Sequence, residues 1–288
     1  MPPPGEPEDP GYSCIKWVPS PDSPGVVEIV LNRPRIHNAL NRATYAELDD
    51  AFGRAGALDD VRAVLLRGEG KSFCAGFDLN EHSELGEMTV IERWNRVQHT
   101  RGILKRIWEC PVPVVGAVQG YCLGGGFALS MQADLVIAAS DAMFGEPEIK
   151  LSALPQPGLL WFAALRHAKE ILMLGERFDA ATAERYGIVN RVVAPEEMLP
   201  LARSWAGALA GYAPEVMSLA KRTINKSTQM SGYELALDWG RDLLLVSDLM
   251  ETETRRQYEE RRDRDGLGAS LKWMGEQGPG QAAGRGRR

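Results

Sequence analysis

Three observations predict an α/β fold. Short apolar runs at residues 26–31, 61–66, 112–118 and 134–139 recur along the first half of the chain, with helical segments between them. Each run is nearly continuous rather than alternating, as expected of strands buried on both faces of a largely parallel, helix-covered sheet. Beyond Pro157 the spacing becomes helical for most of the remaining length, so the C-terminal third is expected to be a helical layer.

The elements follow in order. Residues 26–31 form a strand closed by Asn32-Arg33-Pro34, and residues 44–58 carry Tyr45, Leu48, Phe52 and Ala55 at helical spacing. A strand at 61–66 leads into the glycine-rich loop Arg67-Gly68-Glu69-Gly70-Lys71, and 91–108 reads as a long amphipathic helix. After the strand at 112–118 come the glycines of residues 120–126, a helix at 127–132 and a strand at 134–139. Residues 159–174, 180–186, 195–210, 214–226 and 233–262 read as helices, with only 189–193 strand-like. No period of about 20–50 residues recurs, which excludes a solenoid.

With 288 residues, 44% of them hydrophobic, the chain can bury a large core. Its net charge of −6 argues against a nucleic-acid or anionic-membrane surface, although Arg255-Arg256 and Arg261-Arg262 form local basic pairs. Cys14, Cys74, Cys110 and Cys122 have neither metal-ligand spacing nor a dense disulfide pattern, so a reducing, cytoplasmic setting is expected. The acidic, proline-rich start lacks the basic and apolar regions of a signal peptide, and no run approaches the ~18 apolar residues of a membrane span. The expected organisation is a tail at 1–11, an α/β core at 12–205, a helical region at 206–274 and a tail at 275–288. Both tails are too rich in Pro and Gly to order themselves.

Two glycine turns carry the chemistry. In Gly120-Tyr121-Cys122-Leu123-Gly124-Gly125-Gly126-Phe127-Ala128, three glycines stand between a buried strand and a helix. Free N–H groups and the helix dipole at such a junction suit an oxyanion or a phosphate. In Phe73-Cys74-Ala75-Gly76-Phe77-Asp78, Gly76 permits a turn that leaves the Phe77 N–H exposed. If that N–H converges with the N–H of Gly125, the pair forms an oxyanion hole for a carbonyl oxygen on which charge develops. A dinucleotide site is disfavoured, because residues 120–126 lack the G-x-G-x-x-G order.

Leu31-Asn32-Arg33-Pro34, Asn38-Ala39-Leu40, the segment from Phe73 to Leu79, the segment from Pro113 to Gly120, Gly124-Gly125-Gly126, Phe144-Gly145-Glu146-Pro147-Glu148 and the segment from Gly187 to Val193 occur in that order. Together they resemble the enoyl-CoA hydratase/isomerase (crotonase) superfamily over residues 26–264. The resemblance implies a crotonase-like spiral of ββα turns with a helical C-terminal trimerisation region, assembled as a homotrimer or homohexamer. It implies an acyl-CoA substrate, no metal, and no cofactor beyond the CoA moiety of that substrate. It places the thioester oxygen on the N–H groups of Phe77 and Gly125, with Ala75, Gly76, Asp78, Leu79 and Gly124 around the substrate.

Hydratases of the family carry two glutamates near the substrate. Here the first position holds Ala128, and the second holds Glu148, the expected acid/base. A carboxyl group against an apolar acyl pocket has a raised pKa, which suits proton transfer near neutral pH. Glu146 is the neighbouring alternative, at a position that varies in the family pattern. One carboxylate suffices to move a proton between two carbons, whereas hydration divides naturally between two. Hydration, isomerisation, thioester hydrolysis and acyl-CoA binding without turnover therefore all stand as readings. Some relatives carry an acid near Gln156, whose amide orients water or a carbonyl but is no general base. Arg35 and His37 stand where relatives often have a basic residue near the CoA phosphates, and Arg261 resembles a basic C-terminal segment that approaches CoA. Asn80 replaces a basic residue common in relatives. Cys74 reads as an inert thiol, His82 and His99 as lone histidines without a role, and Trp94, Trp161 and Phe162 as lining either the core or the acyl pocket.

Overall fold

The structure, a computed structural model, describes residues 10–84, 88–151, 153–154 and 157–276. The expected tails fall almost wholly outside the described residues, as does Gln156. The chain runs β1 (Ile15–Pro19), β2 (Val26–Leu31), α1 (Arg42–Ala57), β3 (Ala63–Gly68), α2 (Leu79–Glu84), α3 (Val90–Trp108), β4 (Val114–Val118), β5 (Tyr121–Leu123), α4 (Gly125–Ser130), β6 (Leu135–Ala139) and β7 (Met143–Gly145). There follow α5 (Leu165–Leu174), β8 (Phe178–Asp179), α6 (Ala180–Arg185), β9 (Arg191–Val193), α7 (Pro195–Ala210), α8 (Pro214–Met230), α9 (Tyr233–Asp248), α10 (Glu253–Asp265) and α11 (Leu267–Gly275).

The expected α/β architecture is present. A six-stranded sheet has the order β1-β2-β3-β4-β6-β9, parallel throughout except for the antiparallel edge pair β1–β2. One face is covered by α7, whose Ala202, Ala206 and Ala210 lie against Leu65, Val115 and Ile137. Small residues on that stripe let helix and sheet approach closely. The helix is clamped further by Glu28, fully buried on β2, which receives Arg67 from β3 and Arg203 from α7 at 2.7 Å each. The buried carboxylate is thereby paired on both oxygens. The other face holds the larger core, built from α1, α3 and a second layer of very short strands.

That second layer positions the site. β4 and β6 are neighbours in the large sheet, and each hands the chain to a three-residue strand, β5 and β7, which pair in parallel. β8 adds to β7 antiparallel. Earlier turns of the chain do the same with single residues: Cys74 bridges to Cys122 on β5, and Leu40 bridges to Phe77. A long strand, a short one and then a helix thus repeat, which is the expected spiral of ββα turns.

Sequence periodicity misplaces or misses several pieces. β1, β5, β7 and β8 were not expected: β5, β7 and β8 have only two or three residues, and β1 mixes buried and exposed residues instead of forming an apolar run. The glycine-led helix begins at Gly125, two residues before the expected Phe127. The segment expected as one helix at 159–174 is a 3-10 turn, Pro157–Trp161, followed by α5, and the segment 233–262 is two helices broken at Met250. α7 runs unbroken through the expected boundary at 205/206. Among the described residues no helix is long and apolar enough to cross a membrane.

Candidate active site

The two glycine turns meet. Gly76 has φ 98°, a conformation costly for any residue with a Cβ. A Cβ there would lie 2.9 Å from the Leu123 carbonyl oxygen and 3.5 Å from the Gly125 nitrogen, so this loop rests directly on the second turn. The Leu40 N–H donates to the Gly76 carbonyl at 2.8 Å, and the Asp78 N–H donates to the Leu40 carbonyl at 2.9 Å. In such a parallel bridge the peptide groups on either side of Phe77 are used, and its own N–H turns to the opposite side. Gly125 opens α4, where an N–H has no intrahelical acceptor. The ring of Phe77, 44% exposed, lies over Gly125: a Cβ on that glycine would be 3.4 Å from the ring and 3.3 Å from Tyr45 Oη.

The glutamate arrives from the adjoining strand. β5 and β7 run parallel with Leu123 opposite Gly145, so Gly124 and the residues after Gly145 emerge from the same end of the small sheet. The Gly124 N–H donates to the Gly145 carbonyl at 2.9 Å and ties the two exits together. Glu148, in the 3-10 turn Pro147–Leu151, folds back onto Gly124. A Cβ on Gly124 would collide with Glu148 Oε1, and φ there is 49°. Glycine at this position therefore makes room for the carboxylate one residue before the Gly125 N–H.

Electrostatics follow from enclosure. Burial raises the Glu148 pKa, while a hydrogen bond with Glu146 and its own backbone pull the other way. Glu146, only 2% exposed, has its pKa pushed well above the ordinary carboxylate value by burial, then by the Glu148 charge and the hydrogen bond between the two. Tyr45, read from sequence only as a core residue of α1, is also raised, by burial first and then by Cys74 and Glu148. Cys74 is fully buried and burial lifts its thiol to about 12, which fits an inert group.

Ala75 donates its N–H to the His37 carbonyl at 2.9 Å, and His37 Nδ1 is 2.9 Å from Ser72 Oγ with its ring edge-on to Tyr121. Asp78 is engaged by Arg33 at 2.9 Å and accepts the Asn80 N–H at 3.2 Å, so its side chain fastens the loop. Leu79 begins α2 and is half-buried. Arg35 is exposed and forms no ion pair among the described residues. Arg261 stacks over Trp273 at 4.8 Å on α10, a helix that packs against the Pro147–Leu151 turn. Ala128 is buried and brings no carboxylate. Trp161 donates to Ser231 at 2.8 Å, Phe162 joins Trp108 and Tyr233, and Trp94 lies under Arg241. Among the described residues no cluster of His, Cys, Asp and Glu has metal-binding geometry. A cleft of about 900 Å³ between the end of α3 and α8 contains none of the site residues.

Residues 22–265 match the family model described as enoyl-CoA hydratase/isomerase. The short-chain-enoyl-CoA hydratase of Clostridium acetobutylicum is 36% identical over 209 residues, covering 71% of this chain and 79% of that protein. A Mycobacterium tuberculosis protein, (7aS)-7a-methyl-1,5-dioxo-2,3,5,6,7,7a-hexahydro-1H-indene-carboxyl-CoA hydrolase, is 34% identical over 203 residues, covering 70% and 81%. The crystal structure of an enoyl-CoA hydratase/isomerase from Xanthobacter autotrophicus Py2 matches with a TM-score of 0.88 at 34% identity, covering 93% of this chain and 99% of that one. With the family model spanning most of its length and the ββα spiral in place, the chain belongs to the enoyl-CoA hydratase/isomerase family.

Proposed function

We propose that the protein acts on an acyl-CoA thioester as an enoyl-CoA hydratase or isomerase, with the enolate oxygen held by the N–H groups of Phe77 and Gly125 and the proton moved by Glu148. The observation that carries this reading is the seat of the Glu148 carboxylate on Gly124, one residue from the Gly125 N–H. In isomerisation, the carboxylate takes a proton from the α-carbon of a 3-enoyl thioester and the C–H electrons move towards the thioester oxygen. The two N–H donors hold that charge, and protonated Glu148 returns the proton to the γ-carbon. In hydration, Glu148 takes the proton of a water whose oxygen bonds to the β-carbon of a 2-enoyl thioester as the double-bond electrons move towards the thioester oxygen, and protonated Glu148 then gives that proton to the α-carbon. Neither course needs a metal or a redox group.

A second reading, hydrolysis of an acyl-CoA bond through the same oxyanion site, is favoured by Ala128, which withholds the second family carboxylate, and by the hydrolase among the relatives. Incubation with a panel of 2-enoyl- and 3-enoyl-CoA esters, followed by mass and absorbance, separates the readings. Gain of water marks a hydratase, bond migration at constant mass an isomerase, and free CoA thiol a thioesterase. Tight binding with no product across the panel would overturn catalysis in favour of acyl-CoA binding alone.

Exposed Arg35 and the Arg261 of α10 are proposed to meet the CoA phosphates, with His37 beside them. Apolar residues left exposed on α8 and α9, including Leu219, Ile224, Trp239 and Val246, support assembly into the expected homotrimer or homohexamer, which light scattering measures. All four cysteines are free and buried, which supports a reducing, cytoplasmic setting.

A further inference from the structure

Glu146 deserves a role of its own. It directly follows the end of β7, with Pro147 between it and Glu148; Glu146 is buried and Glu148 half-buried. Each carboxyl group acts on the other's titration, so the two stand close enough to share a proton in a hydrogen bond. Glu146 Oε1 and Glu148 Oε2 are sealed from solvent, and no donor among the described residues reaches either atom. Two carboxylates cannot hydrogen-bond to one another; one of them must carry a proton. No cation forms an ion pair with either group among the described residues, so burying both as anions would leave two like charges uncompensated.

Among the described residues, the nearby charges are engaged elsewhere, Arg96 of α3 with Asp248 at 3.3 Å among them. Tyr45 of α1 and Cys122 of β5 face the pair, and burial holds both neutral. Lys150, on the same turn, is bonded to Glu176 at 3.0 Å. On α10, Arg255 reaches Asp248, Arg262 reaches Asp263 and Arg261 stacks on Trp273. α5 closes on the Glu146 carbonyl through Gly175; its Glu170 accepts from Tyr186 Oη at 3.0 Å and its Lys169 is exposed.

Resting on the assignment of Glu148 as acid/base, we propose that Glu146 is its positioning partner: the two carboxyl groups hold one proton, seated on Glu146, which donates to Glu148 and keeps it anionic and turned towards the Gly125 N–H. Glu148 is half-buried and Glu146 buried, so Glu148 is the more accessible of the two. Turnover then runs through the singly protonated pair. It falls on the acid side as Glu148 takes up a proton, and on the alkaline side as Glu146 is forced to ionise. Carboxylates in this site are therefore two after all, arranged end to end along one turn rather than across the acyl pocket from residue 128.

The test uses two substitutions and one spectrum. Glu146→Ala removes the donor and should lower kcat about ten- to a hundredfold with KM little changed, because a hydrogen bond to a charged group is lost. Glu146→Gln keeps an N–H donor at the same length and should restore most of kcat, while the alkaline limb of the pH profile disappears in both variants. An unshifted profile in both variants would overturn the proposal. Infrared spectra of the substrate-free protein at neutral pH should contain the carbonyl stretch of a buried protonated carboxylic acid. That band should vanish in Glu146→Gln and persist in Glu148→Gln; its absence from the parent protein would also overturn the pairing. Because the band needs no turnover, failure of the pair is distinguishable from failure of Glu148 as the acid/base.

Discussion

The two sheets of this molecule divide its labour. In the large sheet, β2, β3 and β4 are almost entirely buried, and the register is set by continuous apolar runs that no other arrangement would cover. In the second layer, β5, β7 and β8 have two or three residues each, and single bridges stand in for strands at Leu40 and Cys74. Such strands are too short to stand alone; Cys122, Phe144 and Phe178 anchor them in the larger core, against the sheet behind them. What they contribute is placement: their ends bring Gly76, Gly125 and Glu148 together. The large sheet should therefore govern stability and the small one chemistry, and substitutions can set one against the other.

The largest effect is expected at Glu148. Glu148→Gln should reduce kcat by about 10²–10⁴-fold, the usual weight of a general acid–base group, while acyl-CoA binding survives. Stability should not fall, because a carboxyl group whose pKa burial raises opposes folding once it ionises. A variant with full turnover would break the assignment. Next comes Gly125→Pro, which deletes one N–H donor and should cost about 2.7–4 kcal/mol of transition-state stabilisation. The informative measurement is binding of an enolate mimic compared with a ground-state thioester: only the mimic should weaken strongly.

Leu65→Ala tests the other half of the comparison. Leu65 is fully buried between β3 and α7, so truncation should destabilise the fold by about 2–5 kcal/mol in denaturant titration. Activity per folded molecule should stay within about twofold of the parent, since a site remote from the lesion keeps its geometry. A large loss of kcat at constant folded fraction would show that the sheets are not separable.

The same division explains what the amino-acid sequence makes legible. Strands β2, β3, β4 and β6 announce themselves as apolar runs because burial on both faces leaves no alternation to hide them. Gly76 and Gly124 are legible as glycines but not in their reasons: one fits under the Leu123 carbonyl, the other under the Glu148 carboxylate, and both neighbours come from elsewhere in the chain. Phe77, Gly125 and Glu148 came from an ordered set of motifs, and no periodicity could have joined them. Glu146 reads from the sequence only as a neighbour of Glu148, at a position that varies in the family pattern. Only the fold reveals that it is sealed against its partner. Tyr45 escaped for the opposite reason, because helical spacing accounts for its ring and is silent about its hydroxyl.

The smallest prediction concerns β1, the edge strand that periodicity missed. It is fastened partly by Glu47 of α1, which receives the N–H groups of Ser13, Cys14 and Ile15 at 2.9, 2.8 and 3.1 Å and the Ser13 hydroxyl at 2.6 Å. Partial burial acts to raise the Glu47 pKa, but these donors outweigh it and hold the carboxyl below its usual value. A carboxyl group lowered in the folded state contributes stability above its unfolded pKa of about 4.3 and loses it as pH falls through the folded value. Glu47→Gln should therefore cost about 1 kcal/mol at neutral pH, near the low end for charged hydrogen bonds because solvent screens a half-exposed group. The deficit should shrink towards zero in acid, where the parent carboxyl is itself protonated. Turnover per folded molecule should not change, because β1 lies at the far edge of the large sheet from β4 and β6, whose continuations carry the site. A deficit that stayed constant with pH would mean that β1 is held by its apolar face alone, with Ile15 and Trp17 doing for the edge what apolar burial does for the strands beside it.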